Sequence, residues 1–93
     1  MRFEARIDPE TLRSAAHRLD MCVYDLQGNQ QKLRDAIREV EDSWSDVKSR
    51  SVLDELETLV NVVECQIQDN QEVSVKLKRK AEILDEYLEY DIR

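Results

Sequence analysis

Leu12, Leu19, Leu26, Leu33 and Val40 recur at every seventh position, and Ala16, Val23, Gln30, Ile37 and Trp44 form a companion series offset by four. Steps of three and four keep both series on one side of an α-helix, whereas a half-buried strand needs alternation at every second residue. A second run, Leu56, Val60, Val63, Ile67, Asn70, Ser74, Leu77, Ala81, Leu84 and Leu88, repeats the pattern. Each run reads as the apolar seam of a paired helix. Gln30, Asn70 and Ser74 interrupt the seams. Gln30 is the one polar exception in the first seam, whereas Asn70 and Ser74 are either tolerated weak points or devices that fix register and partner choice.

The helix ends are marked. Asp8 is a good N-cap, Pro9 suits the first helical position, and Glu10 favours the positive end of the helix dipole. These signals predict a first helix over about 9–42. Gln27 to Gln31 is polar and contains Gly28, which weakens a helix by about 1 kcal/mol relative to Ala. The heptad register crosses it unbroken, so one continuous helix is expected. Ser45 or Asp46 can cap a second helix over about 47–90, leaving a turn at about 43–46. Two long helices with a short connection fold back as an antiparallel hairpin, with Trp44 at its closed end. The expected fold is all-α, a single helical-hairpin domain over 1–93.

Apolar residues also lie off the seams: Met21, Tyr24, Val52, Leu59, Val62, Val73 and Val75. Val52, Leu59, Val73 and Tyr87 share one heptad position. A second stripe has no cover inside a lone hairpin, so a dimer is expected, pairing into a four-helix bundle. Met21, Tyr24, Val52, Leu59, Val62 and Val73 are the residues expected at the partner interface. The partner is either a second copy or another helical chain.

Composition sharpens this picture. Charged residues make up 38% of the chain and aromatic ones 5%, with one Gly and one Pro, which suits long exposed helices and leaves little turn chemistry for hairpin sheets. The formal net charge of −7 disfavours non-specific nucleic-acid binding. No apolar run is long enough to span a membrane, and Met1 to Arg6 lacks the apolar core of a signal peptide. Any export is therefore expected to proceed without a cleaved signal.

Candidate chemistry is sparse. A slim hairpin offers no obvious pocket to converge catalytic groups, so no enzyme activity and no cofactor are expected. His17, the only histidine, reads as a solvated helix residue. No metal-ligand constellation stands out. Cys22 and Cys65 lack metal-site spacing and read as reduced, partly buried thiols, about one turn out of level on opposite arms and so not a disulfide. The basic cluster Lys76 to Lys80 reads as a solvated face with i,i+4 pairs such as Lys78–Glu82. Tyr87 and Asp91 lie one turn apart on a helix face, a compact tag that a receptor groove can read.

The central Ser43-Trp44-Ser45-Asp46 turn, the Asp8-Pro9-Glu10 start, the heptads and the Tyr87-Leu88-Glu89-Tyr90-Asp91 tail together resemble the Trp-Xaa-Gly (Esx) family of small helical-hairpin substrates of bacterial type VII secretion. The resemblance covers nearly the whole chain. It implies that Trp44, Ser45 and Asp46 form the turn motif and that Tyr87 and Asp91 form a Tyr-x-x-x-Asp export signal read by the secretion ATPase. It also implies a protein that is cytoplasmic before export and then secreted. The family's glycine is here Asp46, which tolerates tight turns better than most residues and can also cap a helix. This departure is similar to the WXG-like partners of larger LXG toxins, whose N-terminal helical region is then the expected partner. Two other functions remain open at this point: a cytoplasmic coiled-coil scaffold without an export role, and a toxin-binding chaperone or inhibitor.

Overall fold

The protein, seen as a computed structural model, is described over residues 8–43 and 47–92, with side chains described over 8–43 and 50–89. It has two helices, α1 (Pro9–Ser43) and α2 (Val47–Ile92), packed side by side as an antiparallel hairpin. The all-α hairpin expected from the heptads is the observed fold. The helices run one residue past the expected end in α1 and two in α2. The turn residues Trp44, Ser45 and Asp46 lie outside the described residues.

α1 starts where its capping residues place it. The Thr11 backbone N–H donates to Asp8 Oδ1 at 2.8 Å and to the Asp8 carbonyl at 3.1 Å, satisfying a first-turn donor that no helical carbonyl can reach. That bond to the Thr11 amide holds the Asp8 carboxyl below its ordinary range. α1 then continues through Gly28 without a positive φ, and a methyl group added there would meet nothing within 4 Å.

The heptad explains where the core sits. With Ala16 and Ser74 at position a, the residues buried on α1 (Pro9, Ala16, Val23, Gln30) and on α2 (Ile67, Ser74, Ala81) all occupy a. The d residues, among them Leu12, Leu19, Leu26, Leu33, Leu56, Leu77 and Leu84, are only half-buried. Positions run a, e, b, f, c, g, d around a helix. An antiparallel pair therefore sets e against e on the side of the a residues and g against g on the side of the d residues. The e side is closed by long polar side chains and the g side is not. The hairpin measures 71 × 25 × 13 Å, a slab one helix thick.

Gly28→Ala should raise stability by about 0.5–1 kcal/mol, because it removes backbone entropy from the unfolded chain and meets no clash. A urea titration with unchanged m-value checks this.

Candidate partner-binding face

The closed side is built from cross-helix hydrogen bonds at seam and e positions. Ser74, 2% exposed, donates its hydroxyl to Asp20 Oδ1 at 2.6 Å and lies 3.3 Å from the Ala16 carbonyl. Lys78 Nζ donates to the other Asp20 oxygen at 2.9 Å. Gln30, 5% exposed, donates Nε2 to Glu64 Oε1 at 2.9 Å and to the Val60 carbonyl at 3.3 Å. Toward the open end Arg13 donates to Asp85, and to Glu10 at 3.1 Å. Gln30 and Ser74 thus act as cross-helix ties rather than weak points. Asn70 is half-buried and makes no such bond among the described residues.

Two sequence expectations are corrected here. Lys78 does not pair with Glu82 along its own helix; it reaches across to Asp20, because its e position faces the e position of α1. Cys22 and Cys65 are exposed free thiols, not partly buried ones, since they occupy g and f outside the contact. Lys76 keeps a local partner in Glu72 at 3.8 Å.

The other side is open. On α2, Leu59, Val73 and Tyr87 at g and Val62 and Ile83 at c are exposed, and Val52 at g is half-buried near the closed end. They adjoin the half-buried d residues, so apolar surface runs from the seam onto the flank of α2. On α1 the g residues Ala15, Cys22, Asn29 and Ala36 are too short to cover the leucines beside them. A shallow groove on this side is lined by Cys22, Asp25, Leu26, Gln66, Asp69 and Asn70. Met21 and Tyr24 are exposed too, but at f and b, on the outer face of α1. The structure thus gathers Leu59, Val62 and Val73 on one flank, with Val52 beside the seam, and leaves Met21 and Tyr24 apart from them. Ile83 belongs to the same flank, and its heptad position alone places it there.

Tyr87 is 64% exposed. The cross-helix bonds set it near the level of the first turn of α1, and the backbone of α2 continues one turn further through Asp91. Among the described residues no three His, Cys, Asp or Glu side chains are placed to hold a metal ion, and no helix is long and apolar enough to cross a membrane. Comparison with known protein families, curated proteins and solved structures gives no match.

The Asp20 carboxyl is held below its ordinary range by the Ser74 hydroxyl first and the Lys78 ammonium second, with a smaller contribution from His17. A lowered folded-state pKa means that the stabilisation is complete above the unfolded value of about 3.9 and is lost as pH falls through the lower folded value. The stability difference between the native chain and Asp20→Asn should therefore shrink steadily below about pH 5. Thermal unfolding across pH tests this, and a difference that grows on acidification contradicts it.

Proposed function

We propose that this chain is a small type VII secretion substrate, or a co-secreted targeting partner, that acts by helical pairing and a C-terminal Tyr-x-x-x-Asp signal. The observation that carries the reading is the course of α2. It runs unbroken through Asp91, so that exposed Tyr87 and the Asp91 position fall one turn apart on a single helix face at the open end. The resemblance to the Trp-Xaa-Gly family supplies the role: the tail is presented to the secretion ATPase, and the Trp44-Ser45-Asp46 turn completes the motif. The chain is cytoplasmic until exported. Its partner is a second copy, another helical hairpin, or the N-terminal helical region of a larger exported toxin.

A cytoplasmic scaffold, or a chaperone or inhibitor that binds a toxin and is not exported, would use the same open flank. Those readings use Tyr87 at most as part of the apolar flank and give its spacing to Asp91 no task. The discriminating experiment compares culture supernatants of a host carrying the native chain, Tyr87→Ala or Asp91→Ala, with a strain lacking the secretion ATPase as control. The native chain should appear outside in an ATPase-dependent way, and each tail variant should fall at least about tenfold, the loss of roughly 1.4 kcal/mol of recognition. Retention of the native chain in every strain would contradict export and leave the scaffold or inhibitor.

A further inference from the structure

We propose that the open side is occupied by a second copy of this chain, related by a two-fold axis across the middle of α2, in one particular register. The proposal rests on the reading that the open flank pairs, and it adds the occupant and the alignment. Its grounds are the side chains at positions c and g in the central part of α2, from 52 to 83: Val52, Glu55, Leu59, Val62, Gln66, Asp69, Val73, Lys76, Lys80 and Ile83.

If this flank is laid antiparallel on its own copy about an axis between Ile67 and Gln68, every c position meets a g position. Val62 of one copy faces Val73 of the other, and Val52 faces Ile83. Glu55 faces Lys80 with opposite charge. Leu59 lies along the aliphatic stem of Lys76, and Gln66 faces Asp69 beside the axis, an acceptor for its amide. Each pairing occurs twice by symmetry, as in any isologous interface. A slip of one heptad either way sets Leu59 against Asp69, or Val62 against Lys80, and separates Glu55 from Lys80. A parallel arrangement brings each charge against itself.

α1 carries an independent mark of the same axis. Its charged c positions Arg18, Asp25, Lys32 and Glu39 alternate in sign. Rotation about a point between Gly28 and Asn29 sets Arg18 against Glu39 and Asp25 against Lys32. The cross-helix bonds Gln30–Glu64 and Asp20–Ser74 fix how α1 and α2 align. By that alignment the two axes coincide to within roughly 3 Å along the bundle. Both flanks are therefore complementary to themselves about one common centre. The charge pairs select the register, and burial of the half-exposed d leucines supplies the attraction.

The test uses the full chain with Cys22→Ser and Cys65→Ser, both exposed positions. Val62→Cys and Val73→Cys are introduced singly, at sites 49% and 45% exposed, where cysteine is readily accommodated. Oxidation of a mixture of the two variants should give a covalent dimer as the main product, and each variant alone should give at least about tenfold less, because the matched pair alone meets disulfide geometry. Glu55→Lys should raise the dimer dissociation constant roughly tenfold through its two symmetric contacts, and adding Lys80→Glu should restore it. A chain that sediments as a monomer at on the order of 100 μM, or a cross-link that favours Val62→Cys with itself, overturns the proposal. Export is read separately: an exported monomer refutes the second copy and leaves the secretion role, whereas a correctly cross-linked dimer that is never exported does the reverse.

Discussion

The hairpin depends on an imbalance between its two seam columns. Ala16, Ser74 and Ala81 at position a are almost wholly buried, and the side chains that arch over this column are long and oppositely charged, Asp20 with Lys78 and Arg13 with Asp85. The leucines at d are large, and their g neighbours on α1 are Ala15, Cys22, Asn29 and Ala36. Short neighbours cannot exclude water from a leucine, so that column stays half-exposed. One side of the hairpin is finished and the other is not, and the proposed pairing rests on that difference.

A heptad seam of leucines looks the same after a slip of seven residues, so apolar periodicity alone selects register weakly. The short interval between Ser43 and Val47 constrains the closed end. Farther along, Gln30 and Ser74 supply the selection, since each must find one particular partner across the contact or remain a buried polar group without one. These interruptions of the seam thus add specificity where the leucines add cohesion.

The helices, their hairpin arrangement and most of the seam were legible in the heptads and in the Asp8-Pro9 start, because periodicity is a local property of the chain. The partner of Lys78 was not legible. Glu82 is near in sequence and Asp20 is near only once the register of α1 on α2 is known. Cys22 and Cys65 were misplaced for a related reason, because burial of a small residue depends on which flank it occupies. The Leu59, Val62 and Val73 flank was readable as a stripe, whereas Met21 and Tyr24 lie off it, because f and b point to other faces than c and g. The tail was visible as a spacing, and its position at the open end, near the first turn of α1, needed the hairpin.

Small-angle X-ray scattering of the purified full chain tests the central claim, a hairpin with one finished side and one side that takes another hairpin along its length. The account predicts twice the mass of the 11.0 kDa chain with a maximum dimension close to the 71 Å of one hairpin and a thicker cross-section. A particle of single mass, or one of double mass extended to nearly twice that length, contradicts it.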